Sequence, residues 1–174
     1  MRSGYNGRMT IADRIDHLTT SIGRAAAWLC LFIVVAQFAV VLMRYGAGLG
    51  SAKLTESIVY AHAALFMLAA AWTLREGGHV RVDIFYADAL PRRKAMVDLL
   101  GALLLLIPFA LSLLILSLPY VARSWSILER SRETSGLPFV YLLKTLIPVF
   151  ALLLVLQGVS QAIRAAQTLR SRAA

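Results

Sequence analysis

Residues 99–122 read LLGALLLLIPFALSLLILSLPYVA, 24 residues without a charged side chain. Coiled at 1.5 Å per residue, this stretch makes a helix about 36 Å long, more than the roughly 30 Å hydrocarbon core of a bilayer. A soluble domain has no interior that takes such a run, so the segment reads as a membrane span that tilts or kinks to fit. Pro108 and Pro119 are its candidate kink points. Outward from it, three more runs reach the length of about 20 apolar residues that a crossing needs. One lies between Arg24 and Arg44, with Gln37 as its strongly polar member. Another lies between Lys53 and Arg75 and contains Glu56 and His62. The last runs from Phe139 to Ile163, with Lys144 near its start and Pro148 inside. The expected fold is therefore all-α: an integral membrane four-helix bundle with spans over about 24–43, 54–74, 98–122 and 140–163, and with tails at 1–21 and 166–174.

Composition agrees. The chain is 59% hydrophobic and 16% charged, against about 45–50% and 25% in soluble domains. The first run is preceded by Arg2, Arg8, Arg14 and Arg24, as a signal peptide would be. It exceeds the usual apolar core of about 7–15 residues, and Val41-Leu42-Met43-Arg44 offers no small-residue cleavage site, so it is kept as a span. Within the preceding tail, Ile11, Ile15 and Leu18 follow a helical spacing.

The net charge of +9 sits beside apolar runs, where it sets topology and meets anionic headgroups rather than nucleic acid. Counted on alternate sides of the spans, basic residues number 12 on the side of both termini and 6 on the other, which predicts cytoplasmic termini. Between the second and third spans, Val82, Phe85, Tyr86, Ala89 and Leu90 recur on one helical face, with Arg81, Asp83 and Asp88 off it. This predicts a short amphipathic helix over about 80–90, lying along the cytoplasmic interface. Pro91 then opens the third span, a position where proline is tolerated.

Groups able to carry chemistry are few. Glu56 falls in the first turn of its helix, where the dipole favours a carboxylate, and Lys53 stands within reach of it. Its readings are an anchor at the outer interface or a polar contact to a partner subunit. His62 lies about 240° around the helix from Glu56, so the two do not share a face. With His17 and His79 outside the spans, a haem would lack a second ligand at depth. The expected role of His62 is a hydrogen bond inside the bundle or to another subunit, among alanines that permit close helix approach. Lys144 reads as a snorkelling side chain, and Trp28, Trp72 and Trp125 as interfacial aromatics. Cys30 is the single cysteine and reads as a small buried apolar residue. No phosphate loop, metal-ligand set, nucleophile–base pair or internal repeat is visible, so no enzyme activity, cofactor, metal or substrate site is expected.

The run REGGHVRVDIFY (75–86), followed by Leu90-Pro91-Arg92-Arg93, resembles the cytoplasmic segment of the small membrane subunit of TRAP transporters, the DctQ-like family. Ser124-Trp125, Glu129, Ser131 and Gly136-Leu137-Pro138 continue the likeness, as do Lys144, Pro148 and Gln157-Gly158. Arg44-Tyr45, Glu56 and Tyr60-Ala61-His62-Ala63 fit as well. The likeness covers about residues 22–165. It departs where the family often has a double glycine before Leu-Pro and this chain has Ser135-Gly136.

The resemblance implies a tripartite system in the bacterial inner membrane. A periplasmic substrate-binding protein captures an organic acid, a large membrane (M) subunit carries it inward with sodium, and the small subunit packs beside the large one as a fixed scaffold. On that basis Arg44, Glu56, His62, His79, Arg81, Asp83, Phe85, Tyr86 and Lys144 are candidate subunit-interface or structural residues. The alternative is a stand-alone carrier or channel, which needs a charged side chain facing a central cavity and has only His62 to offer.

Overall fold

The computed structural model describes residues 9–79 and 89–171. The expected interfacial helix, with Arg81, Asp83, Phe85 and Tyr86, falls on the residues outside that range. The described residues are helical apart from short connections: α1 (Ile11–Ala47), α2 (Ala52–Arg75), α3 (Pro91–Gly101), a π turn (Ala102–Leu106), α4 (Ile107–Ser126) and α5 (Val140–Ser171). Because α3, the π turn and α4 run on as one rod, there are four helices long and apolar enough to cross a membrane. The protein is a multi-pass membrane protein built only of helices in its described residues.

Local chemistry sets the boundaries. α1 starts at Ile11, well ahead of the apolar run, because Thr10 and Asp13 form a capping box: the Asp13 N–H donates to the Thr10 side chain, and the Thr10 N–H donates to the Asp13 carboxylate at 3.0 Å. It ends where Gly48 takes a left-handed conformation (φ 66°) that an L side chain rarely adopts. Ser51 caps α2 by accepting from the Leu54 N–H. The third span interrupts its own ladder at the π turn, where the Ile107 N–H reaches back to the Ala102 carbonyl. The next residue, Pro108, has no N–H and crowds the carbonyl four residues before it, so a wider turn ahead of it relieves the clash. Of the two candidate kink points, the irregularity lies at Pro108, and the helix runs through Pro119 unbroken.

Packing is inverted relative to a soluble protein. Apart from Val121, Leu153 and Leu154, the buried apolar positions are mostly alanines, among them Ala26, Ala36, Ala61, Ala70, Ala71, Ala102, Ala110, Ala151 and Ala162. The large side chains, among them Phe32, Phe38, Phe66, Leu104, Phe109 and Leu116, are exposed. Small residues let backbones approach, and lipid tails solvate the large ones. α1 pairs with α2, α3 and α4 pair with α5, and α5 also touches α1 and α2. The last span is thus the axis on which the others are hung. Two glycines mark close approaches. A Cβ at Gly23 would stand 2.6 Å from the Trp72 Cβ, and one at Gly158 would stand 3.0 Å from Ile107 Cγ1, beside the π turn.

Candidate functional site

Two polar clasps close the bundle at opposite ends. The first is built on Asp16, the one buried charged residue among the described residues. Ser160 Oγ and Gln157 Nε2 donate to Asp16 Oδ1 at 2.6 and 3.1 Å, and Arg164 donates to Oδ2 from Nη2 at 2.5 Å and Nε at 2.9 Å. Arg75 brings its Nε to 3.7 Å of the same oxygen and hydrogen-bonds the Thr20 hydroxyl. Fully buried Thr19 donates to Gln157 Oε1 at 2.8 Å, and Arg164 also reaches Asp13 at 2.9 Å. One carboxylate therefore ties α1, α2 and α5 together, and every buried polar atom named here has a partner.

The sequence reading missed this clasp. It took Ile11, Ile15 and Leu18 as the pattern of the tail, yet Ile11 and Leu18 are exposed. The buried face is Ala12, Asp16, Thr19, Gly23 and Ala26. The signal was there: small and polar residues at i, i+4, i+7 and i+11 on α1, answered by Gln157, Ser160 and Arg164 on α5.

The second clasp joins α2 and the loop between α4 and α5. Glu56 accepts from the Ser131 hydroxyl and, at 2.6 Å, from the Leu137 N–H. Lys53 is exposed, and the expected pairing with it gives way to this contact with the chain's own loop. The loop closes on itself as the Ser131 N–H donates to the Leu137 carbonyl at 3.2 Å. Gly136 makes room for this: a Cβ there would lie 2.5 Å from Ser131 Oγ and 2.6 Å from Glu56 Oε1. Gly136→Ala is therefore expected to lower stability by about 1–3 kcal/mol, as overpacking does. Denaturant unfolding in detergent micelles reads it, and a wild-type midpoint would contradict the close approach.

Beside it, Lys144 does not simply reach for water. Its ammonium lies 2.5 Å from Glu129 and 4.2 Å from the centre of the Tyr120 ring, a cation–π geometry. Ser124 donates to the same Glu129 oxygen at 2.7 Å. Trp125 donates to Thr145 at 2.9 Å and packs edge-on against Tyr141. The Lys144 ammonium first, and the Ser124 hydroxyl next, hold the Glu129 carboxyl below the ordinary carboxylate range. A carboxyl depressed by folding contributes stability above its unfolded pKa and loses it as pH falls through the folded one. The near-ultraviolet circular dichroism of Trp125 is thus expected to hold through neutral pH and to collapse only on acidification below the usual carboxylate range. A collapse already near neutrality would contradict the clasp.

The remaining candidates sit apart. Arg44 is exposed in the last turn of α1, on a cleft shared with Gln37, Ser51, Thr55, Glu56 and Glu133. His79 is exposed beyond α2. His62 is exposed on the outward side of α2 and makes no hydrogen bond among the described residues. Its neighbour Ala61 takes the buried position, and a turn of 100° per residue carries the imidazole off the bundle. Trp28 is exposed, Trp72 packs on Gly23, and Cys30, expected to be buried, is exposed on the apolar outer face of α1. Among the described residues no group of three His, Cys, Asp or Glu could hold a metal ion.

Compared with known families, residues 25–168 match the DctQ component of the Tripartite ATP-independent periplasmic transporters. The chain belongs to the DctQ family. No curated protein and no solved structure matches it. DctQ proteins are transporter components, a class distinct from enzymes, and both clasps lie inside the matched family region or bridge to it: Glu56, Ser131, Gly136, Gln157 and Arg164 fall within 25–168, whereas Asp13, Asp16 and Thr19 precede it.

Proposed function

We propose that this chain is the non-catalytic scaffold subunit of a binding-protein-dependent, sodium-coupled importer of organic acids. It stands beside the large M subunit in the bacterial inner membrane, with both termini in the cytoplasm and the Glu56 clasp facing the periplasmic substrate-binding protein. The observation that supports this reading is where the buried polar groups go: Asp16, Thr19, Gln157 and Ser160 bond to one another and to Arg164 rather than lining a path across the membrane. Such a bundle resists deformation, as a fixed partner to a moving carrier must. Arg81, Asp83, Phe85 and Tyr86 would hold its depth at the cytoplasmic surface, and Arg44 and His79 would meet partners at the two faces. The stand-alone carrier loses its one candidate, since His62 points away from the bundle interior.

The test is reconstitution in liposomes under an inward sodium gradient. Uptake of an organic acid is expected only when this chain, the large subunit and the loaded binding protein are all present. Uptake by this chain alone, or full uptake without it, would refute the scaffold reading. Orientation is read separately by a fluorescent-protein fusion at the C-terminus, expected to be bright from the cytoplasm.

A further inference from the structure

α2 turns one stripe away from its neighbours: Thr55, Val59, His62 and Phe66, at i, i+4, i+7 and i+11, all exposed. Its opposite side holds buried Ala61 and Ala71, and one turn past Phe66 the stripe itself closes at buried Ala70. At 1.5 Å per residue His62 stands roughly 12 Å past Leu54, in a crossing whose hydrocarbon layer is about 30 Å thick. The imidazole is therefore near mid-depth. The register of α1 on α2, set by Gly23 against Trp72 and Thr20 against Arg75, puts Ile33 level with His62. One turn further out on α1, Gln37 is also exposed and shares a cleft with Thr55.

Lipid tails offer no hydrogen bond to an imidazole or an amide, and a polar group left unpaired in hydrocarbon is costly. The opposite surface shows what a lipid-facing side of this protein looks like. Over the middle of α4 the exposed side chains include Phe109, Leu111, Ile115 and Leu116, and the hydroxyl beside them, Ser112, donates back to the Pro108 carbonyl at 2.8 Å. His62 has no such internal acceptor among the described residues. The exposed Val59 and Phe66 on either side of it supply an apolar seam for packing, with the imidazole as its one polar anchor.

We propose that the Val59–His62–Phe66 stripe of α2 is the seam on which a transmembrane helix of the transporter's large subunit packs, presenting a hydrogen-bonding side chain to His62 at mid-depth. The α4 surface faces lipid. The inference rests on the scaffold reading above and specifies which side of the bundle carries the partner.

The experiment uses membranes in which this chain and the large subunit are co-expressed, with a benzophenone photo-cross-linker placed at the position of Val59, Phe66 or Leu116. Adducts with the large subunit are expected from the first two positions and not from the third. In parallel, H62L should reduce the co-purified large subunit about three- to tenfold, the scale of an interhelical hydrogen bond in a membrane, and H62Q should restore much of it. Because His62 is exposed, H62L should leave the unfolding midpoint of the isolated chain unchanged. Adducts from Leu116 instead, adducts joining two copies of this chain, or wild-type recovery with H62L would overturn the seam. If the unmodified chain fails to co-purify with the large subunit at all, the scaffold reading itself falls. If it co-purifies but cross-links elsewhere, only the seam is wrong.

Discussion

Asp16→Ala is expected to lower the unfolding free energy of the chain in detergent micelles by about 2–3 kcal/mol, just below the roughly 3–5 kcal/mol that breaking a fully buried ion pair costs. The carboxylate is buried and accepts from Ser160, Gln157 and Arg164. Removing it strands Gln157 and Ser160, which are buried and have few other partners, and each stranded buried polar group costs about 1–3 kcal/mol. Arg164 and Arg75 are partly exposed and recover some solvation, which keeps the loss below the full range. Asp16→Asn should fall between: it keeps an acceptor for Ser160 but sets an amide N–H against Arg164. A double-mutant cycle with Arg164→Gln should show strong coupling, because the two side chains share one contact. An Asp16→Ala chain that unfolds within about 0.5 kcal/mol of wild type, the scatter of ordinary surface substitutions, would remove the clasp from the account.

Gly23→Leu is the second large effect, expected at about 2–3 kcal/mol, as overpacking at a rigid contact costs. A Cβ at this position would stand 2.6 Å from the Trp72 Cβ and 2.9 Å from its Cγ and Cε3. The Trp72 Cβ is fixed to the α2 backbone, so no rotamer change clears the clash. α1 and α2 must part or slide, and Arg75, three residues on, then loses its reach to Thr20 and Asp16. Gly23→Ala should show a smaller loss of the same kind. Trp72→Ala should partly rescue Gly23→Leu while being harmful alone, a reversal of sign that only direct contact produces. Additive losses in that cycle would mean the two helices do not meet there.

The contrast between these two sites and the rest of the bundle shows what a sequence of this type discloses. Span number follows from long uncharged runs such as 99–122, because hydrocarbon admits so few charges that length alone is diagnostic. The family was legible in 75–86 and in Ser131, Gly136-Leu137-Pro138 and Gln157-Gly158. Roles were not. Glu56 and Lys53 are close in sequence, yet the carboxylate turned to a loop more than seventy residues on. Lys144 carries the marks of a snorkelling end but meets Glu129, whose position depends on how α4 terminates. Asp16 precedes the apolar run and read as part of a solvated tail. Only the pairing of α1 with α5 shows that its face is interior. Contacts between distant helices depend on rotation about each axis, and in a membrane that rotation is poorly marked, since both the lipid side and the packed side are apolar.

The central place of α5 bears on how the chain is made. Synthesis delivers α1 first and α5 last, so Asp16 emerges about 140 residues before Gln157, Ser160 and Arg164, a wait of at least several seconds at ordinary elongation rates of about 5–20 residues per second. The contacts of Gly23 with Trp72 and of Arg75 with Asp16 need only the first two helices, so they are open to the chain during that interval. The third span touches neither of them. It must dwell in the bilayer as a separate rod until the final segment inserts between the two halves and joins them.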